Sequence, residues 1–530
     1  MHGTIPAPGP SRRGSRPRLA AAAALCALSL AVAGCSGSGA SGSQTSTQLS
    51  LQFPGPPVSL DPAKAGNGSS TVFVSLAYDP LIYLSGKGEM VPDLAVKWGF
   101  TDQDNKVFEL ALREGVKFSD GSALDAKAAV ASMNYFLKAG GGLVGKVGPV
   151  DKIEAVGPMQ VRITYKKPTP EAASTLTQYN GMGNLIGPKG LAAPDLLLTS
   201  SDGTGQFVYD GTTSVAGNRY VYKKNPHYFL PAAQHFDSTV IRVINNPNAV
   251  LSAAQTGQVQ YASGNANTAE AARRSGLKIR TAPFFNWSLN LVDRKGTVAP
   301  ALADVRVRRA IALAFDRPAL AKALAGDYAT GSNQVLLRGT DGYDKNIGYG
   351  YDVAKAKSLL AEAGYPKGFK LTVLTQSIID PNSNYSQAVA NALKAIGIDV
   401  TLKVQATGIA QFTADALSKK YAATIFPTAG TTMAELNSQI TSGGFNPFNS
   451  TDSELDSILH KAATATDAAS RTAEYQKASK RLEDLAWTVP LFATQNISYA
   501  AAGLENIQTS VLNPNPVPVG PTADLSWRLK

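Results

Sequence analysis

The two cysteines of this 530-residue chain, Cys26 and Cys35, both fall within its first 35 positions, so no disulfide can brace the long body that follows. That body has to be held together by core burial alone. Its length is well beyond what one hydrophobic core serves, which implies two or more lobes.

The placement of the cysteines has its own logic. Arg12, Arg13, Arg16 and Arg18 precede an apolar run from Leu19 to Ala33 that carries no charge. A basic segment followed by about 15 apolar residues has the layout of a secretory leader, and it falls short of the roughly 20 needed to span a bilayer as a helix. The run ends at Val32-Ala33-Gly34-Cys35, which resembles the bacterial lipobox, with cleavage before the cysteine and diacylation of its sulfur. Residues 1–34 are therefore expected to be a lipoprotein signal peptide and Cys35 the site of lipidation. Ser36 to Thr47 carries no aromatic, charged or aliphatic side chain beyond the methyl of Ala40, so 35–47 is expected to be a flexible, lipid-anchored tether. Two or more acyl chains on one residue suffice for stable attachment to the outer face of the cell membrane, the periplasmic side if an outer membrane is present. Gly14 and Ser15 follow the arginine pair where twin-arginine export prefers apolar residues, which speaks against that route.

The formal charge is +11, of which the leader's arginines supply four, leaving +7 over the 496 residues from Cys35 on. No block of five like charges occurs and the basic residues are not interleaved with aromatics, which argues against nucleic acid as a partner. Histidine occurs at positions 2, 227, 235 and 460 only. None has HxxxH spacing and the body has no thiol to join them, so no metal site and no cofactor are expected, a His227/His235 pair being the one remote option. There is no GxSxG elbow or Walker A loop, and Gly181 to Gly187 has the wrong glycine spacing for a dinucleotide site. Nothing here points to an enzyme, although a carboxylate pair among so many acids leaves a secreted hydrolase as a minor alternative.

Past the tether, Leu49, Leu51 and Phe53 alternate with polar neighbours as a first strand closed by Pro54-Gly55-Pro56-Pro57. A helical stretch from about Ser69 to Leu76 leads into Tyr78-Asp79-Pro80-Leu81 and a turn at Gly86-Lys87-Gly88. Phe108, Leu110 and Leu112 alternate on one face of a strand, and Ser119-Asp120-Gly121 forms a tight turn. Asp304 is placed to cap a helix with Val307, Ala310, Ile311 and Ala314 on its buried stripe, which leaves the nearby arginines to a solvated face or structural ion pairs. Asp352 caps the next helix, and Gly364 ends it before Pro366. Strands at 369–374 and 400–404, and a helix at 471–485 with Tyr475, Ala478, Leu482 and Leu485 on one face, complete a series of αβ units.

Val91-Pro92-Asp93-Leu94-Ala95, Trp98 and the run Leu110 to Gly121, which includes Leu112-Arg113-Glu114-Gly115-Val116-Lys117-Phe118, resemble the signature of the family 5 extracellular solute-binding proteins of dipeptide/oligopeptide-type ABC importers. Gly203 to Phe207, Asn225-Pro226-His227-Tyr228-Phe229, Asp304 to Ala310 and Trp487 to Leu491 follow in that family's order. The resemblance implies an α/β, two-lobed periplasmic-binding-protein type II-like fold with an extra subdomain in the first lobe. It places lobe 1 at 48–284 with the subdomain at about 70–200, lobe 2 at 285–495, and a return to lobe 1 at 496–530. It implies a monomer that captures a short peptide or similar small polar solute between its lobes and delivers it to a membrane permease and ATPase. The alternatives are a non-peptide solute such as a sugar, or a sensor or adhesion lipoprotein; nickel is disfavoured by the sparse histidines.

For the site, Phe284 to Asn290 stands where the family crosses between lobes, making Trp287 and Asn290 candidates for cleft-facing side chains. Tyr78 stands where relatives carry a cleft tyrosine. Phe426 and Thr428 lie where peptide-binding relatives have a tryptophan and, shortly after, the aspartate that holds the peptide ammonium. No carboxylate occurs between Tyr421 and Glu435. A buried ammonium without a partner is costly, so either Glu435 substitutes from an offset position or the ligand is not an ordinary peptide.

Overall fold

The computed structural model describes residues 47–66, 70–380, 382–428, 432–441 and 443–530. The leader, Cys35 and all of the tether except Thr47 lie outside the described residues. Gln48–Phe53 pairs in parallel with Ser238–Val243, and its other edge meets Tyr261–Gly264. In place of the expected alternation, four consecutive residues from Leu49 to Gln52 are buried, because this strand lies inside a sheet covered on both faces. Gln52 tolerates that position by donating to the Ile244 carbonyl at 2.6 Å and accepting from the Ser263 amide at 2.9 Å, so its burial leaves no amide group unpaired.

One sheet of eleven strands runs through the molecule. From one edge the order is Asp399–Gln405, Lys370–Gln376, Ala423–Thr428, Lys278–Leu291, Thr488–Ala500, Tyr261–Gly264, Gln48–Phe53, Ser238–Val243, Arg219–Lys224 and Phe207–Tyr209, with Ala329–Gly331 paired to Thr488–Ala500. The two longest strands, Lys278–Leu291 and Thr488–Ala500, sit in the middle and tie its halves together. A separate four-stranded antiparallel sheet, Ala95–Phe100, Val107–Leu112, Gln160–Tyr165 and Val150–Gly157, packs with the helix Ala126–Ala139. Here alternation is clean, with Phe108, Leu110 and Leu112 buried.

Three large cores correspond to these parts. One lies under the four-stranded sheet and includes Phe108, Phe118, Met133 and Ile163. A second gathers Leu49, Leu51, Phe73, Tyr78 and Tyr222, and the chain's last segment returns to it through Leu504, Val517 and Trp527. The third holds Trp287, Leu289, Ile311, Leu360, Val373, Ile425 and Phe492. Aliphatic and aromatic side chains of this kind contribute roughly 1.5–3 kcal/mol each when fully buried.

Local capping follows the sequence closely. The Asp304 side chain accepts from the Arg306 amide at 2.8 Å, starting the helix Val305–Leu313, and Asp352 accepts from Lys355 at 2.8 Å, starting Val353–Glu362. The expected 471–485 helix begins earlier, as Ala468–Leu485, because Asp467 accepts from the Ser470 amide. Arg308 departs from the expected solvated face. It is buried and donates to the carbonyls of Leu302, Ala303 and Leu485, tying the turn before its own helix to the end of the helix Ala468–Leu485. Among the described residues no helix is long and apolar enough to cross a membrane.

Candidate functional site

The ribbon that joins the lobes is made by the two long strands. They pair antiparallel from Lys278 opposite Ala500 to Asn290 opposite Thr488. At one end Thr488–Ala500 is flanked by Tyr261–Gly264 of lobe 1; at the other, Lys278–Leu291 is flanked by Ala423–Thr428 of lobe 2. Register slips between Pro283 and Phe285 and again between Trp287 and Ser288. Pro283 offers no amide to the ladder, and an unpaired residue in such a pair bends the strand and increases its twist. The first slip falls between the stretch flanked by Tyr261–Gly264 and the stretch flanked by Ala423–Thr428.

Contacts across the crossing hold the lobes together. From the subdomain, Asn105 Nδ2 donates to the carbonyls of Ala463 and Ala465 at 3.2 and 2.9 Å. Lys146 Nζ lies 3.8 Å from Glu435 Oε1, and the Tyr475 hydroxyl donates to Glu171 Oε1 at 3.4 Å. Burial raises the Glu171 carboxyl above its ordinary range; Arg471 opposes this, while Asp341 and Glu435 add to it. On the lobe 1 side, the Tyr179 hydroxyl donates to Asn513 Oδ1 at 2.5 Å, and Asn496 Nδ2 donates to Asn515 Oδ1 and the Pro514 carbonyl at 2.8 Å.

The candidates from sequence occupy different surroundings. Trp287 is 3 % exposed, with its ring 4.6 Å from that of Tyr385 and 6.0 Å from that of Phe492, inside the lobe 2 core. Asn290 is fully buried and satisfied on both sides, donating to the Phe426 carbonyl and accepting from the Thr488 hydroxyl. Tyr78 belongs to the lobe 1 core, where burial pushes its phenol well above the ordinary range while the backbone of Asp202 opposes this. A Cβ at Gly203 would come within 2.5 Å of its ring, so the Gly203-Thr204-Gly205 landmark makes room for Tyr78. Phe426 is half-buried and stacks on Phe412 at 4.8 Å with Phe445 nearby; Thr428 donates to the Asn286 carbonyl at 3.2 Å. The structure thus brings Trp287, Asn290, Phe426 and Thr428 onto adjacent strands of lobe 2 and leaves Tyr78 in the other lobe.

Asn286 was not singled out by the sequence. Its Nδ2 donates to the carbonyls of Gln334 and Val335 at 3.1 Å, while its Oδ1 is buried without a partner. It sits in the crossing segment, but only the fold reveals that it meets a loop some 48 residues further on. Glu171 and Tyr179 carried no local signal at all. His235 Nε2 is engaged with the Ala523 carbonyl at 2.8 Å, and among the described residues no group of three or more His, Cys, Asp or Glu is placed to hold a metal ion. The chemistry the crossing offers is hydrogen bonding, aromatic surface and closure about a hinge.

Comparison with known proteins points the same way. The glutathione-binding protein GsiB of Shigella dysenteriae is 25% identical over 458 residues, spanning 83% of this chain and 88% of that one. A probable peptide ABC transporter periplasmic-binding protein of Sinorhizobium fredii is 24% identical over 361 residues, spanning 64% and 67%. Among solved structures, the ABC transporter substrate-binding protein CtaP of Listeria monocytogenes superposes with a TM-score of 0.77 at 21% identity, covering 91% of this chain and 99% of that one. DppA of Helicobacter pylori, in complex with a peptide, superposes with a TM-score of 0.71 at 22% identity, covering 92% and 99%. The sequence profile described as bacterial extracellular solute-binding proteins, family 5 Middle, matches residues 89–446. On that match over most of its length, the chain belongs to the family 5 bacterial extracellular solute-binding proteins.

Proposed function

We propose that this protein is the substrate-binding component of an ABC importer, closing its lobes on a short peptide or similar small polar solute and handing it to a membrane permease driven by an ATPase. It acts by binding, without catalysis, as a monomer held to the outer face of the cell membrane by lipid on Cys35. The observation that carries the reading is the bent two-strand ribbon, bridged on one side by Asn105, Lys146 and Glu171 reaching lobe 2. A fold closed about a hinge gains solute affinity from contacts made in the closed state alone. Phe426 is assigned to the lobe 2 wall of the cleft, and Trp287, Asn290, Thr428 and Tyr78, all buried, to the scaffold that positions its walls.

The solute class follows from charge. Ala423–Thr428 has no carboxylate, and Glu435 is paired with Lys146, so an ammonium held as in ordinary peptide complexes finds no ready partner there. A peptide whose amine is spared, or another polar solute, fits better than a simple α-amino peptide. Titration calorimetry with glutathione, di- and tripeptides and sugars tests this, paired with small-angle scattering to follow compaction. Saturable binding with compaction is the expected result; turnover of a probe, or no binding across the panel, overturns the reading. For the anchor, Cys35→Ser is expected to move the protein from the membrane fraction to the soluble one.

A further inference from the structure

A second cavity lies in lobe 1, away from the crossing. A cleft of about 790 Å³, open to solvent on one side, is lined by the turn of the hairpin Ile82–Leu84/Met90–Pro92, by Arg113 to Gly115, by Phe229 and Leu230, and by Gln508 and the returning segment around Pro521 to Leu525. None of its walls comes from residues 285–495. Its size is within the range that takes small organic ligands, and three of the sequence landmarks, at Pro92, Arg113 and Phe229, converge on it although the interlobe site uses none of them.

The chemistry centres on Arg113. Its Nε donates to the Asp93 carbonyl at 2.9 Å, and its guanidinium lies over the Phe229 ring, 5.1 Å from the centroid. Those two contacts fix the group and leave its terminal nitrogens for an occupant. Behind it, Asp79 and Asp93 are buried; burial raises both carboxyls above their ordinary range, and the charge of Arg113 opposes that rise. On the same lining, Gln508 has a buried carboxamide oxygen with no hydrogen-bond partner. The rim carries Glu89, Glu114 and Asp524 against Lys87, a balance that repels a second negative charge on the ligand. Val91, Leu230 and Leu525 supply apolar wall.

We infer that this cavity binds a small zwitterion with an apolar side chain, of the free amino acid class, its single carboxylate on Arg113 and its N–H groups toward Gln508 and the acidic rim. The cavity is independent of the importer's own solute site and is the place for an allosteric or accessory ligand.

The test is calorimetric titration of the purified protein with L-phenylalanine, phenylalaninamide, 3-phenylpropionate and phenyl phosphate. Saturable binding of L-phenylalanine is expected, at least tenfold weaker for each analogue that lacks the carboxylate or the amine or bears a dianion. Thr522→Trp, at an exposed rim position, is expected to abolish that binding with the fold intact, and Arg113→Gln and Gln508→Leu to weaken it at least tenfold. Phe426→Ala, in the other site, is expected to leave it unchanged. No binding of L-phenylalanine at millimolar concentration, or binding that survives Thr522→Trp but is lost in Phe426→Ala, overturns the proposal, the latter by placing the ligand between the lobes.

Discussion

Asn105 donates its side-chain amide to the carbonyl of Ala465 at 2.9 Å, joining two residues 360 positions apart across the boundary between subdomain and lobe 2. It is also one of the few non-glycine residues with positive φ, at 55°, a conformation asparagine tolerates better than most. Asn105→Gly keeps that backbone freedom and removes both side-chain bonds to lobe 2. Each such bond is worth about 0.5–1.5 kcal/mol, so the ligand-free protein is expected to shift toward an open form. Small-angle scattering reads this as a larger radius of gyration, restored on adding solute. An unchanged radius means the closed arrangement does not depend on Asn105.

Glu171 makes closure sensitive to pH. Burial raises its carboxyl above the ordinary value of 4.5 in the closed arrangement, whereas an open cleft returns it to solvent. Closing therefore takes up a proton, and linkage requires closure to strengthen as pH falls through the raised value toward the ordinary one. The contribution is lost as pH rises above the raised value. Solute affinity measured upward from the ordinary carboxylate range is expected to show this slope, and Glu171→Gln, which keeps the Tyr475 contact without the charge, is expected to flatten it. A slope identical in the variant assigns the effect to other groups.

The caps and the cores were readable because they are local or periodic. Asp304 and Asp352 bond to amides two or three residues away, and Phe108, Leu110 and Leu112 need only the pleat of one strand. Gln48–Phe53 was misread in its exposure, since burial on both faces depends on partners near residues 240 and 261. The site was legible as a position in the chain more than as a set of facing side chains. Trp287 and Asn290 stand three positions apart, which a regular strand would put on opposite faces, but two register slips interrupt the strand's alternation, and the strands flanking theirs come from residues 423–428 and 488–500. Glu171, Tyr179 and Asn286 act through contacts that no spacing in the sequence encodes.

Trp287 and Phe426 can be separated by what their removal does. Trp287→Ala empties a packed position between Tyr385 and Phe492 and is expected to cost about 3–5 kcal/mol of stability. Phe426→Ala leaves a half-buried site and is expected to lower stability less while weakening capture of the best-binding solute by about 1 kcal/mol or more. Urea unfolding and calorimetry on both variants give the comparison. Equal losses of stability, with no effect of Phe426→Ala on affinity, would remove Phe426 from the cleft wall.

Arg294 links the hinge strand to the wall around Phe426. Its guanidinium donates to the carbonyls of Leu291, Ile440 and Phe445 and to Asn446 Oδ1, and it lies 4.1 Å from the centre of the Trp487 ring. Burial, with Arg308 nearby, lowers its pKa to about 9, still high enough to keep the charge at neutral pH. Among the described residues no carboxylate bonds to Arg294, and although Asn446 Oδ1 also accepts from the Ser450 amide, serving three separate carbonyls takes the planar fork. Lysine carries the same charge on one nitrogen and cannot reach them all. Arg294→Lys is expected to lower stability by about 2–4 kcal/mol through unpaired buried acceptors. Because Phe445 packs beside Phe426, the loosened 440–446 segment is also expected to weaken solute capture. Urea titration and calorimetry on the same preparation check both; a variant as stable as the parent shows that water or backbone shifts satisfy those carbonyls without the fork.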